Sequence, residues 1–583
     1  CGRNMYKSLS VVFTAVFLLM CFGCTDNSVG IDKDQIKSAD LVLLNGYIAT
    51  VDPEIGNVSA MAINDYKITA VGNDEEIKRY ISDSTEVINL NGRFVMPGFI
   101  EGHGHYMSLG RSKQILDLND VSGWEEVVSK VAVAVDKSKP GDWIFGRGWH
   151  QDKWNSLPDN AVDGVPINDT LSKISPQNPV VLGHASGHAA FWNDAALEIA
   201  DVSKDTHDPE GGTIVRDQSG KATGLMRETA QRLIRDARNE YEGRMTPQQI
   251  ENQNRERVKM AADEALKFGV TSFHDAGASF ETIDFFKQLE SEGELDVRLY
   301  VMVRGESNEV MDVALPQYKM LPEGNDFLTV RSIKRQIDGA LGAHGAWLLE
   351  PYVDLPETSG LVLETVEDIT RTAEVAVKHG FQVNTHAIGD RANRETLDIY
   401  ENVWKDLSVK GEDLRWRIEH AQHIHPNDIP RFGELGVIAS VQAVHGTSDG
   451  PWIPSRLGDE RAKDTSQPWR TLFETGAMIT NGTDVPVERI DPIASYYSSV
   501  TRRMINGDEF YPEHIMTRKE AMETYTINGA YSAFEEDIKG TLTPGKYADF
   551  VVLSKNLLTV DYREIPSAEV EMTFVGGELK YQK

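Results

Sequence analysis

The chain of 583 residues is 40% hydrophobic and 26% charged, which excludes intrinsic disorder and gives enough length for one large domain and a smaller one. Its formal net charge of -31 excludes sequence-independent binding to nucleic acid or to an anionic membrane surface, because like charges repel over the Debye length. A small-molecule or cationic partner is expected.

The first residues read as a leader. Met5 precedes Lys7, the apolar run Val11–Met20 and Cys21-Phe22-Gly23-Cys24. A membrane-spanning helix needs about 20 apolar residues and this run is shorter, so residues 1–24 read as a secretory leader. Gly23 before Cys24 matches the cleavage point of bacterial lipoproteins, where the cysteine is acylated, although Cys21 stands where Leu is usual; a plain secreted protein and an uncleaved anchor are the alternatives. Polar residues 25–37 suit a tether. Exported protein, lipid-anchored or periplasmic, is the expectation. Cys1, Cys21 and Cys24 are the three cysteines, so any metal in the folded body must be held by His, Asp, Glu or Lys.

Residues 38–97 contain DLVLLNGYIATVD, AMAINDYKITAVG and EVINLNGRFVMPGF, short β-rich runs broken by Asn-Gly and Gly as in hairpins. Residues 536–583, with GTLTPGKYADFVVLS and AEVEMTFVGGELKY, repeat that chemistry, and the two ends are expected to assemble one small β-sandwich. Between them, residues 98–535 alternate helix-like charged segments with apolar runs that end in His or Asp: EALKFGVTSFHDAG, VAVKHGFQVNTHAIGD, RWRIEHAQHI and FETGAMITNGTDVPV. This predicts βα units and a parallel sheet, the α/β class, with chemistry at the C-terminal strand ends. Residues from about 109 to 236 are too long for one βα loop and are expected to cap the mouth; Trp149, Trp154 and Trp192 there hint at an apolar or ring-bearing substrate, the alternative being a surface subdomain with buried Trp.

His103-Gly104-His105 follows the apolar run RFVMPGFI, and alternate residues of an extended strand share a side, so both imidazoles can reach one ion. Alone, such a pair is usually incidental. Its weight comes from His386, His420 and Asp484, each closing a predicted strand. Four His and one Asp at one rim suit Zn²⁺ or a similar ion with positions left for water.

PGFIEGHGH, the later single histidines, Asp484 before Val-Pro and the closing GTLTPGKYADFVVL together resemble the amidohydrolase superfamily. GRGWHQDKW, GHASGHAAFWNDAAL, KRQIDGALGAHGA, THAIGDRAN and IEHAQ resemble its YtcJ-like branch, which includes N-substituted formamide deformylases. The resemblance covers nearly all of the chain after the tether and implies a (β/α)₈ barrel. It implies that His103, His105 and Asp484 hold one metal ion, and His386 and His420 a second. Lys334 falls where relatives place a lysine carboxylated to bridge two ions; a structural salt-bridge lysine beside a single metal is the other reading. Asp484 is expected to be the catalytic proton shuttle. The implied reaction is hydrolysis of an amide, N-formyl, N-acyl or cyclic amide C–N bond by metal-activated water. Esters and phosphoesters yield to the same water, and a catalytically silent sensor or scaffold is the rival from another class. Substrate contacts are expected from His188, Trp192, Asp338, His344, Arg391 and His445, with Asp449 in the motif of His445 and Ala443 where relatives show Pro. His274 reads as an outer-layer or a core histidine, and His150, His423 and His425 as surface or pocket-wall residues. A homodimer is left open.

Overall fold

Eight apolar runs, most of them closing on Gly, Ala, His or Asn, pair into one parallel sheet: β1 (Phe99–Gly104), β2 (Val270–Ala278), β3 (Arg298–Val303), β4 (Leu328–Gln336), β5 (Gln382–Ala387), β6 (Arg417–His420), β7 (Ile438–Val441) and β8 (Ile479–Asn481). They follow one another in sequence order around a nearly closed barrel. The seam between β8 and β1 is drawn together by Asp484 N–H donating to His103 O at 2.8 Å and by Thr483 N–H donating to Glu101. The structure, a computed structural model, describes residues 37–583 apart from 119, 152–153, 163, 185–188, 210–211, 326 and 505. The leader, the tether before Lys37, Cys24 and His188 lie outside the described residues. Among the described residues no helix is long and apolar enough to cross a membrane.

The connecting helices follow from capping and periodicity. The helix Val366–His379 starts where Thr365 accepts the Asp368 N–H, ends at left-handed Gly380, and buries Ile369, Thr372, Ala373 and Ala376 against the sheet, which is the spacing of one helical face. Within the strands the period is two. On β4 and β5, Ile333 and Val383 face the helix layer, so Ser332, Lys334, Asn384 and His386 share the inner face.

A four-stranded sheet is built from Leu41–Leu44, Ala60–Asn64, Lys67–Gly72 and Glu86–Asn89. A six-stranded sheet mixes the two chain ends, with Phe94–Pro97 paired to Phe550–Leu553. Alternation splits this second sheet between two cores: Val95, Phe550 and Val552 pack in the sandwich, while Phe94, Met96, Val551 and Leu553 pack against the barrel. A buried pair, Arg298 to Asp549 at 2.8 Å, ties the two bodies together.

The insertion has its own six-stranded sheet, with Ile144–Trp149, Val180–His184 and Ala189–Trp192 at its centre. Both faces are covered. Trp149 and Trp154 pack with Trp124, Leu182 and Phe191 on one side, and Trp192 packs with Ala190, Ile214 and Met226 on the other. The expectation that Trp149, Trp154 and Trp192 contact substrate is therefore corrected: these rings fill the insertion's core, and Trp192 is 0% exposed.

Candidate metal centre

The ends of β1, β4, β5, β6 and β8 bring six of the expected residues to one place. His103 Nδ1 donates to Glu419, which turns Nε2 toward Lys334 Nζ at 3.3 Å and Asp484 Oδ1 at 3.6 Å. His105 Nε2 lies 3.2 Å from Asp484 Oδ1. The rings of His386 and His420 stand 4.3 Å apart, and His420 is 4.8 Å from His103. His420 Nδ1 donates to Gln442 Oε1 at 2.6 Å, so its Nε2 is left for the centre. One donor atom from each of His103, His105 and Asp484 lies within 4.8 Å of the others, and the same holds for His420, His445 and Asp484. His420 and Asp484 both adopt left-handed backbone, φ 74° and 57°, a conformation that costs energy for these residue types and is found where a site needs it.

Burial sets the protonation states. It pushes His103 down to about 4, with the Lys334 charge adding to the effect and Glu419 opposing it, and it carries His386 and His420 well below the usual imidazole range. Lys334 is brought down to about 8 by burial. Burial raises Asp484, but its hydrogen bond with His105 and the neighbouring imidazoles outweigh this and hold it ionised. Neutral imidazoles beside an ionised carboxylate are the donor states a metal requires. Among the described residues the buried Nε2 atoms of His386 and His445 make no hydrogen bond, the former lying 3.5 Å from Asp338 Oδ1, so the residues fit a divalent ion.

The remaining candidates separate. His445 is buried and joins the centre. Asp338 is corrected from substrate contact to loop builder: it is fully buried, accepts the N–H groups of Ile388, Gly389 and Trp347 at 2.8–3.0 Å, and backs His386 at 3.5 Å. Burial raises it to about 7. Arg391 is tied to Glu395 along its helix at 2.7 Å and lies over Trp347. His344 pairs with Asp354 at 3.2 Å, a carboxylate it shares with Arg456. These two side chains are therefore engaged away from the ligands. His274 sits one layer out, joined to Arg417 at 3.1 Å. His423 is not a surface residue; it is buried against Ser466 Oγ at 3.0 Å.

Sequence reasoning missed Glu419, Arg417 and Gln442. Glu419 is fully buried between His103 and Arg417, whose Nε lies 2.7 Å away. Strand alternation would put Glu419 and His420 on opposite faces; left-handed His420 lets both reach the centre.

Comparison with known proteins agrees with this geometry. Residues 86–581 match the profile of the Amidohydrolase family. Protein LONG AFTER FAR-RED 3 of Arabidopsis thaliana is 36% identical over 93% of this chain and 92% of its own length. YtcJ of Bacillus subtilis is 29% identical over 92% of this chain and 98% of its own, and N-substituted formamide deformylase of Arthrobacter pascens 24% over 93% and 98%. A solved structure of an uncharacterized metal-dependent hydrolase from Pyrococcus furiosus, 29% identical, superposes with a TM-score of 0.70 over 89% of this chain and 100% of that one.

Proposed function

The chain belongs to the amidohydrolase family and is a hydrolase; from that premise we propose that it cleaves the C–N bond of a small amide, N-formyl, N-acyl or cyclic amide compound. The observation that carries the reading is the convergence of His103, His105, His386, His420 and Asp484 beside Lys334 at the barrel's strand ends. Zinc suits this nitrogen and oxygen donor set. His103, His105 and Asp484 would hold one ion, and His386 and His420 a second. Lys334 favours a bridging role over a structural salt bridge, because no carboxylate lies within ion-pair distance of its buried ammonium among the described residues. A neutral lysine amine adds CO₂ and releases a proton to become a carbamate.

A divalent ion bound there supplies Lewis acidity and lowers the pKa of water. The chain's own residues do the rest. Asp484, held ionised, accepts the proton of the attacking water and passes it to the leaving nitrogen, which must be protonated to depart. Glu419 and Gln442 keep the His103 and His420 rings turned inward. Among C–N substrates, the relative named N-substituted formamide deformylase favours an N-formyl or N-acyl amide. A silent scaffold is disfavoured, since none of the expected donors is missing. The leader adds the proposal that the reaction takes place outside the cytoplasm on an exported, lipid-anchored or periplasmic protein.

The test is elemental analysis of the purified protein beside hydrolysis of a panel of N-substituted formamides and acyl amides. Bound zinc with turnover supports the reading; a folded protein that takes up no divalent ion overturns it.

A further inference from the structure

Arg304 directly follows β3 and donates its N–H to Ala278 O at 2.9 Å, which places it at the mouth of the barrel. Its side chain lies across the end of β2, where Gly277 has φ +139° and a Cβ would come within 2.3 Å of Arg304 Cδ and 2.7 Å of its Cβ. Only glycine leaves that path open. The far end of the side chain is fixed by Nη2 donating to Gln336 Oε1 at 2.7 Å. Gln336 is two residues beyond Lys334 on β4 and pairs in register with His386, so its side chain shares the inner face, one step of about 6.6 Å beyond Lys334 and level with His386. The guanidinium is thereby held beside the centre, close enough for its charge to act on His386.

This cation makes no ion pair among the described residues, although its charge acts on Asp275 and Glu364. Nearby carboxylates are engaged elsewhere: Glu364 accepts the Gln336 N–H and faces Arg335 at 3.6 Å, Glu306 accepts the Phe280 N–H, and Asp275 accepts the Tyr106 N–H. Among the described residues none lies within ion-pair distance of Arg304, which is half-buried. An oriented, partly desolvated guanidinium with donors to spare matches a carboxylate in a two-point contact.

We infer that Arg304 binds a carboxylate of the substrate, so that the compound cleaved is an anionic amide of the N-formyl or N-acyl amino acid class. In such compounds the carboxylate carbon is two bonds from the amide nitrogen, which lets one group meet Arg304 while the amide carbonyl lies at the ligand layer. The inference rests on the C–N hydrolase reading and deepens it. Gln336 is a positioning residue, acting through Arg304.

The experiment compares kcat/KM for an N-formyl amino acid and for its uncharged carboxamide analogue, in the wild type, Arg304→Gln and Arg304→Lys. The wild type is expected to prefer the acid by about 10- to 100-fold, the range a hydrogen bond to a charged group supplies, and to lose preference as salt is raised. Arg304→Gln should remove the preference and leave the neutral analogue within about twofold, with zinc content unchanged; Arg304→Lys should retain part of it. Equal rates on acid and neutral analogue in the wild type, or an equal fall of both in Arg304→Gln, overturns the inference. If neither compound is hydrolysed by zinc-loaded protein, the C–N reading fails, and calorimetric titration with the N-formyl amino acid still decides: binding weakened at least tenfold in Arg304→Gln supports the carboxylate site, and equal binding overturns it.

Discussion

Replacing Glu419 by Gln tests how the metal centre is held. The carboxylate is fully buried; one oxygen meets Arg417 Nε at 2.7 Å and the other takes the His103 Nδ1 proton. Gln keeps the shape and removes the charge, and its NH₂ must then face one of two donors. Arg417 has other acceptors in Gly102 O at 2.6 Å and Ser440 Oγ at 3.0 Å, so the barrel should survive. Among the described residues His103 Nδ1 has Glu419 alone, so the loss falls on the ligand. Removing the partner behind a ligating imidazole typically weakens metal binding about 10- to 100-fold, or about 1.4–2.7 kcal/mol, and the upper half is expected because the partner is charged. Gln442→Met, behind His420, should cost about tenfold, since a neutral hydrogen bond is roughly half as strong. Zinc dissociation constants from competition with a chromophoric chelator would measure both, with circular dichroism to report the fold. A folded Glu419→Gln protein that binds zinc within twofold of the wild type would refute the argument.

Asp484→Asn should lower kcat by at least about 10²-fold, the contribution of a positioned general base, while the His ligands keep part of the metal; single-turnover rates beside elemental analysis check it. Lys334→Ala should bring zinc from two per chain toward one, and an unchanged ratio would exclude the bridge. Burial pushes His423 down to about 3 and His514 down to about 4, against about 6.5 unfolded. The unfolded chain therefore takes up these protons first, and stability should fall as pH drops from about 6.5 toward 4. Thermal midpoints between pH 5 and 8 should show that slope, less steep in His514→Gln; no difference between the proteins would mean His514 is not the source.

The residues that gather at the centre were legible because each is local: His103, His386 and His420 close strands, and a parallel barrel collects strand ends at one mouth. Trp192 was misread for a reason of the same kind. Alternation tells which side of a strand a ring takes, yet both sides of the insertion's sheet are covered by the chain itself. Asp338 stands in a charged motif, and only the fold shows three backbone N–H groups converging on it. Arg304 ends an ordinary apolar run, RLYVMVR; its significance depends on Gly277 and Gln336, distant in sequence and on different strands.

The layer beneath the ligands is where stability and function pull apart. Barrel interiors are usually filled by branched apolar residues, but here Arg417 reaches from β6 to Gly102 on β1, to Ser440 on β7 and to His274 on β2, with Ser332 and Asn384 on the same inner face. Among the described residues the side-chain amide of Asn384 finds no hydrogen-bond partner, and each such group costs about 1–3 kcal/mol when buried. A buried ion pair such as Arg417–Glu419 is no better, since apolar replacement of such pairs is often neutral or stabilising by about 1–4 kcal/mol. Packing therefore does not account for this layer. What it does provide is a carboxylate behind His103 whose charge is balanced by Arg417, so that a ligand can be oriented from inside the barrel without leaving a lone charge there. That requirement, rather than fold stability, explains why Arg417 and Glu419 stand two residues apart on the strand that ends in His420.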